Sequence, residues 1–220
     1  MWYNKQMKRQ YLDIHGSEVP SVTTVLSQLN KPQLVAWAAR LARQGVDWED
    51  VRNEAADIGT IAHEMAENFI KNQPCDFSQH PGYKKALKAF SAFQNWVGIN
   101  QVTFLGSEIP LVHHQKKFGG TIDIVAEVNG KVSLIDLKTS SSLSEEYNYQ
   151  VCAYQYLLEN GDLDDRGAKR SFPPYQVEQA ILLRIDKNSG IFEQRIIKDF
   201  EKHHRIFFLL LDLWHAREEK

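Results

Sequence analysis

The chain has 220 residues, of which 43% are hydrophobic and 25% charged, a balance typical of one soluble globular domain. Its net charge of −2 argues against a protein that coats duplex DNA by electrostatic attraction alone. The longest strongly apolar run, residues 206–211, is far shorter than the roughly 20 residues that cross a bilayer, and the polar start does not resemble a signal peptide. We therefore expect a cytoplasmic protein without a membrane partner.

The first part of the chain is predicted to be helical. Hydrophobic side chains recur at helical spacing in three segments, and a proline lies near the start of the first: 32–44, 57–71 and 83–97. From residue 102 the hydrophobic period changes to two, which predicts strands at 102–111, 121–128 and 131–139. Asn129-Gly130 separates the last two strands and is a strong signal for a two-residue hairpin turn.

The second half of the chain alternates helices with strands. Ser142 and Glu145 have the spacing of a capping box, which predicts a helix from there to about residue 159. Two strands follow at 176–185 and 191–197, and Asp199 is a plausible N-cap for a last helix that ends near residue 217. This order of elements predicts a mixed α/β (α+β) domain.

The predicted hairpin brings two aspartates together. If Val128 faces Lys131 across the turn, the same register sets Asp123 opposite Asp136, and Lys138 shares a face with Asp136. Directly opposed like charges repel unless a cation, a shared proton or strand twist compensates. Mg²⁺ and Mn²⁺ prefer carboxylate oxygens, and a neighbouring lysine can stabilise developing negative charge. A salt-bridged surface patch explains the same hairpin residues equally well.

Further residues resemble a known family. Gly120-Thr121-Ile122-Asp123 followed by Ile135-Asp136-Leu137-Lys138-Thr139-Ser140 resembles the PD-(D/E)xK nuclease signature. The RecB-type exonuclease branch adds a histidine, a glutamate and a Gln-x-x-x-Tyr pair, which are similar to His63, Glu108 and Gln150 with Tyr154. Residues 20–26 and the Trp-containing segment after them are similar to the mitochondrial genome maintenance exonuclease and to phage-encoded relatives. The resemblance covers residues 20–154.

The resemblance implies a fold and a set of site residues. The fold would be a restriction-endonuclease-like core, with a mixed central β-sheet flanked by helices, in a single nuclease domain spanning 1–220. Residues 1–56 would form a helical N-terminal part and residues 57–220 the nuclease core. The implied Mg²⁺ or Mn²⁺ ligands are His63, Glu108, Asp123, Asp136 and the backbone carbonyl of Leu137. The implied catalytic residues are Asp123, Asp136, Lys138 and Glu108, with Gln150 and Tyr154 beside the lysine or in contact with DNA.

The chain departs from some RecB-type relatives in one respect. The cysteine quartet that holds their iron–sulfur cluster is absent, since the chain has only Cys75 and Cys152. We therefore expect no iron–sulfur cluster.

The implied function is metal-dependent hydrolysis of DNA phosphodiester bonds by an exonuclease that acts on single strands or free ends. Recombination, repair and phage DNA processing all suit a bacterial or phage-encoded enzyme of this kind, with a recombination or replication protein as partner. Tyr11, Trp37 and Trp48 are candidates for stacking on bases, and packing in the core is the alternative for each of them. Two alternatives remain at this point: a structure-selective endonuclease of the same fold, and a non-catalytic DNA-binding protein.

Overall fold

The computed structural model describes residues 9–219. A short hairpin comes first, followed by four helices: β1 (Tyr11–Leu12), β2 (Glu18–Val19), α1 (Val22–Leu26), α2 (Pro32–Arg43), α3 (Trp48–Ile70) and α4 (Tyr83–Ile99). Three long strands come next: β3 (Val102–His113), β4 (Phe118–Val128) and β5 (Lys131–Lys138). The chain continues with α5 (Glu146–Asn160), β6 (Gln179–Ile185), β7 (Phe192–Ile197) and α6 (Glu201–Glu218).

The centre of the fold is a five-stranded sheet in the order β3-β4-β5-β6-β7. Strands β5 and β6 are parallel, and the other neighbouring strands are antiparallel. The parallel pair requires a crossover, which α5 supplies. Because the sheet is mixed and flanked by helices, the predicted α/β class with a restriction-endonuclease-like core is confirmed.

Hydrophobic cores lie on both faces of the sheet. One core joins the sheet to α3 and α4, and the other joins it to α1, α5 and α6. Neighbouring residues of one strand serve opposite cores: Leu134 faces α5 while Ile135 faces α3 and α4. This two-sided burial explains why apolar residues of the central strands face both cores. Among residues 9–219, no helix combines the length and apolar character needed to cross a membrane.

The predicted hairpin turn is confirmed. Asn129 has a φ of 51° and Gly130 a φ of 77°, the two positive values that a type I′ turn needs. Val128 pairs with Lys131, and the same register continues to the pair of Ile124 and Ile135. The backbone pairing of β4 with β5 ends there, one residue before Asp123 and Asp136.

The N-terminal part of the chain differs from the sequence prediction in two respects. α3 begins at Trp48 rather than at residue 57, because the side chain of Asp47 accepts a hydrogen bond from the Glu49 amide and caps the helix. The predicted boundary after residue 56 therefore falls inside this helix. The N-terminal part is also not wholly helical, because β1 and β2 form a hairpin before α1.

The predicted capping box at Ser142 is wrong. α5 begins only at Glu146, and Glu145 makes no side-chain capping bond. The guanidinium of Arg195 donates hydrogen bonds to the carbonyls of Leu143 and Ser144, which keeps these carbonyls out of a helix. A contact from β7, distant in sequence, therefore overrides the local signal.

Candidate active site

Three elements bring a histidine and two carboxylates together. His63 on α3, Glu108 on β3 and Asp123 on β4 each offer a ligand atom, and these atoms lie within 4.8 Å of one another. The Nδ1 atom of His63 is 3.8 Å from Oδ2 of Asp123. An imidazole nitrogen and two carboxylates at this separation suit a divalent cation. We call these three residues the ligand group.

A glycine sets the distance between α3 and the strands. A Cβ added to Gly59 would lie 2.8 Å from Oγ1 of Thr139, so only glycine lets the helix approach the end of β5 this closely. His63 follows Gly59 by one helical turn and lies on the same face. The close approach therefore carries His63 towards Asp123.

Glu108 adopts an unusual backbone conformation. Its φ is 51°, in the left-handed region that residues other than glycine rarely adopt. It lies between the paired residues Ser107 and Ile109, whose partners on β4 are the residues on either side of Asp123. The register of β3 also shifts between Phe104 and Gly106. Strain of about 1–3 kcal/mol of this kind is concentrated at functional sites, and here it affects a member of the ligand group.

Asp136 and Lys138 form an ion pair next to the ligand group. Asp136 is only 1% exposed, and Nζ of Lys138 lies 2.5 Å from its Oδ2. The Lys138 ammonium compensates Oδ2, whereas Oδ1 of Asp136 has no hydrogen-bond partner within residues 9–219. A buried carboxylate is costly when one of its oxygens is left without a partner. Its environment therefore suits an additional cation.

The amide of Leu137 connects the two parts of the site. It donates a hydrogen bond of 2.8 Å to Oδ2 of Asp123, the same oxygen that faces His63. The side chain of Asp123 thus continues the pairing of β4 and β5 where the backbone ladder has ended. This bond fixes the orientation of the Asp123 carboxylate.

A family model of the PD-(D/E)XK nuclease superfamily matches residues 34–218, which include the ligand group, Asp136 and Lys138. The chain belongs to this superfamily. It is accordingly a nuclease, a hydrolase that uses divalent metal ions and acts on DNA.

Two other comparisons add little to this assignment. Curated proteins gave no match. Among solved structures, the protein SSO0001 is similar at a TM-score of 0.42 and 17% sequence identity, over 88% of this chain and 75% of that one. A similarity at this level carries no argument about the nuclease.

Burial and neighbouring charges raise the pKa of two carboxyl groups at the site of the nuclease. Burial raises the pKa of Asp136 to about 7, with repulsion from Asp123 adding to the effect and the Lys138 ammonium opposing it. Burial, and then repulsion from Asp123 and Glu67, raises the pKa of Glu108 to about 7. Repelling carboxylates of this kind are stabilised when a cation replaces their protons. The residues present therefore fit a divalent metal ion.

Lys138 remains charged in this environment. Burial lowers its pKa, but the carboxylates of Asp136 and Asp123 outweigh that effect and raise the pKa above its usual value. The ammonium also lies 4.8 Å from the centroid of the Tyr147 ring, a cation–π contact. The nuclease thus holds a protonated lysine between a carboxylate and an aromatic ring.

Gln150 and Tyr154 lie on the face of α5 that covers β4. Nε2 of Gln150 donates a 3.0 Å hydrogen bond to the hydroxyl of Tyr154. A Cβ on Gly120 would lie 2.6 Å from the Tyr154 ring, so the motif glycine allows this ring to contact the strand. Burial, and then the charge of Asp136, raises the pKa of Tyr154, so its phenol stays protonated. Contact of either residue with DNA remains a prediction.

The structure brings some of the predicted metal ligands together and leaves others outside the ligand group. His63, Glu108 and Asp123 come together, whereas Asp136 lies outside the ligand group and pairs with Lys138. The amide of Leu137 contacts Asp123, and metal binding by its carbonyl remains a prediction. The full ligand set that the resemblance implies therefore remains a prediction, and three of its members lie close enough together to share a metal ion.

For Tyr11 the structure confirms packing in the core and contradicts stacking on bases. It is 7% exposed, its hydroxyl forms a 2.9 Å hydrogen bond with Oγ1 of Thr121, and its ring lies where a Cβ on Gly119 would be. Its packing leaves no aromatic face for a base. Trp37 and Trp48 are partly exposed, and their contact with DNA remains a prediction.

The sequence prediction missed several residues of the site. A cavity of about 630 Å³ lies beside the ligand group, and its lining includes Arg9, Gly59, Thr139 and acidic residues of α3. No local sequence pattern singles out Arg9, whereas Thr139 directly follows Lys138 in the family motif. Tyr147 was detectable, because it precedes Gln150 and Tyr154 at the spacing i, i+3, i+7 that defines one helix face.

Proposed function

We propose that this nuclease is a metal-dependent exonuclease that hydrolyses DNA phosphodiester bonds and acts on single strands or on free ends. The observation that carries the proposal is the ligand group of His63, Glu108 and Asp123 directly beside the buried pair of Asp136 and Lys138. Binding of DNA alone gives no reason to bury a charged lysine against a carboxylate next to three ligand atoms.

The chain's own residues have distinct roles in this hydrolysis. His63, Glu108, Asp123 and Asp136 would hold Mg²⁺ or Mn²⁺, with the Leu137 amide fixing the carboxylate of Asp123. A metal ion held there would supply an activated water and polarise a phosphate oxygen. The Lys138 ammonium, whose side chain is 14% exposed, would stabilise the negative charge that develops on the phosphate.

The RecB-type branch is part of the proposal. Its support is the position of His63 in the ligand group and the Gln150–Tyr154 hydrogen bond on the helix after the lysine motif. A role in recombination, repair or phage DNA processing, a cytoplasmic location and a recombination or replication partner follow from the same resemblance.

Digestion of end-labelled linear and circular single-stranded DNA tests the proposal. Wild type is assayed with Mg²⁺, Mn²⁺ or EDTA and compared with Asp136→Asn. Asp212→Asn is the matched control, because this aspartate is exposed on α6. We expect loss of linear DNA alone, abolished by EDTA and by Asp136→Asn and unaffected by Asp212→Asn.

The other outcomes separate the alternatives. Cleaved circles would replace the exonuclease proposal with a structure-selective endonuclease of the same fold. No cleavage of either substrate, with retained DNA binding, would identify a non-catalytic DNA-binding protein.

A further inference from the structure

Arg9 lies in the wall of the cavity beside the ligand group. Its Nη1 donates a 2.9 Å hydrogen bond to Oγ1 of Thr121, and its Nε lies 3.5 Å from Oδ2 of Asp165. Thr121 belongs to the same strand as Asp123 and precedes it by two residues. The guanidinium is therefore held in a defined position relative to the ligand group, while its side chain stays 44% exposed.

The charge of Arg9 contrasts with the rest of the cavity. Among the described residues that line the cavity, Arg9 is the only arginine or lysine, and three glutamates accompany it: Glu64, Glu67 and Glu108. Its ion-pair partner Asp165 does not line the cavity. An anionic chain that enters this space meets repulsion from the carboxylates and attraction from one fixed cation.

The guanidinium has donors to spare. It carries five N–H groups, and within residues 9–219 the bond to Thr121 is its one hydrogen bond. Thr121 also bonds the hydroxyl of the buried Tyr11, so the group that orients Arg9 is itself fixed. A preoriented, half-exposed guanidinium is well suited to bind phosphate oxygens.

We propose that Arg9 binds a DNA backbone phosphate next to the one that is cleaved, and so positions the strand against the ligand group. This inference rests on the proposed function. The phosphate that Arg9 would bind is an internal phosphodiester of the DNA strand, so the substrate needs no terminal phosphate.

The test measures binding separately from cleavage. The full chain carries Lys138→Ala to prevent turnover, and a labelled single-stranded oligonucleotide with hydroxyl groups at both ends is titrated in Mg²⁺ by fluorescence anisotropy at several salt concentrations. Arg9→Gln removes the charge but keeps an amide donor for Thr121, and Arg9→Lys keeps the charge. Arg205→Ala is the control, because this arginine is exposed on α6 and does not line the cavity.

We expect Arg9→Gln to weaken binding about tenfold, the usual loss for one charge-assisted hydrogen bond. The slope of log K against log salt should fall by about 0.7, the value for one phosphate contact on a single strand. Arg9→Lys should keep the slope, and Arg205→Ala should change neither quantity. Thermal unfolding of each variant verifies that the fold is retained.

Each outcome that contradicts the inference has a different consequence for the two proposals. An unchanged slope in Arg9→Gln, with cleavage by wild type intact, overturns this inference and leaves the proposed function standing. An effect seen only with a 5′-phosphorylated oligonucleotide overturns the backbone assignment in favour of a terminal phosphate. No binding by the Lys138→Ala parent, together with no cleavage by wild type, overturns both proposals.

Discussion

At the scale of single residues, Asp136 and Lys138 depend on each other. The carboxylate is buried and the lysine side chain is 14% exposed, so each charge would be costly without its partner. Their proximity to the ligand group gives this pairing a chemical use, because the ammonium is available where negative charge develops. Burying the pair therefore costs folding free energy, and the same pair is the basis of the proposed catalysis.

We expect Lys138→Ala to lower the rate of DNA cleavage by about 10²–10³-fold or more, the usual effect of removing a group that stabilises transition-state charge. Lys131→Ala is the matched control, because this lysine belongs to the same strand and is exposed. Initial rates of cleavage of labelled DNA, with thermal unfolding as a measure of folding, provide the comparison. A folded and fully active Lys138→Ala protein would exclude this role for the lysine.

The raised pKa of Asp136 predicts how stability depends on pH without metal. An aspartate in an unfolded chain has a pKa of about 3.9, whereas burial raises that of Asp136 to about 7. Between these values the folded protein binds a proton that the unfolded chain releases. The free energy of unfolding should therefore fall as the pH rises from about 4 through 7, and Glu108 contributes with the same sign.

Denaturant unfolding in EDTA across this pH range measures the effect. Asp136→Asn should flatten the curve, because an amide has no proton to lose. Asp186→Asn is the control: hydrogen bonds from the Ser189 amide and others lower the pKa of Asp186 to about 2, so its contribution is lost only in stronger acid. A wild-type curve that is flat or rises from pH 5 to 7 would contradict the assignment.

At the scale of elements, close approaches at glycine decide where helices lie. Gly59 sets α3 against the end of β5, and Gly120 lets Tyr154 of α5 lie against β4. Both contacts determine where the site residues lie, and neither glycine takes part in the chemistry of the site. A substitution at either glycine is therefore expected to change the relative placement of a helix and the sheet.

We expect Gly120→Ala to destabilise the protein by about 1–3 kcal/mol, the usual cost of forcing an extra group into a filled core. The new Cβ would lie 2.6 Å from the Tyr154 ring, which is packed between α5 and the sheet and has no space to yield. Gly98→Ala is the control, because nothing lies within 4 Å of its added Cβ on α4 and alanine favours the helix by about 1 kcal/mol. Denaturant midpoints of the two variants should therefore move in opposite directions.

At the scale of the whole molecule, metal binding and folding should be linked. The ligand group comes from α3, β3 and β4, and α4 separates α3 from the two strands in sequence, so the unfolded chain lacks the site. A metal that binds only the folded state raises its stability, by about 2.7 kcal/mol when the metal concentration is 100 times the dissociation constant. Mn²⁺ or Mg²⁺ should accordingly raise the melting temperature in a concentration-dependent way.

Glu108→Gln should remove most of this metal-dependent shift, because an amide is a poor replacement for a carboxylate ligand. Glu127→Gln serves as the control, since this glutamate is exposed on β4. Differential scanning calorimetry with and without metal gives the shift for each variant. Equal shifts in both variants would place the metal elsewhere on the molecule.

Much of the molecule follows from local sequence. The Asn129-Gly130 turn fixes the register of β4 and β5, because the turn's two positive φ angles allow one pairing. Period-two hydrophobicity located the strands to within a few residues, and the register brought Asp123 and Asp136 to the same end of the hairpin. The family motif was readable for the same reason, since its residues lie on two consecutive strands.

Other features depended on contacts between residues distant in sequence. Arg195 of β7 prevents the helical start that Ser142 predicts, and the Arg9–Thr121 bond joins residues 112 positions apart. The raised pKa values of Asp136 and Glu108 come from burial, which a linear pattern does not specify.

The sequence by itself determined the elements, the hairpin register and the nuclease motif, because these depend on neighbouring residues. Only the tertiary structure decided which side chains share the ligand group, where the cavity opens and which charges are buried, because these depend on how helices and sheet pack.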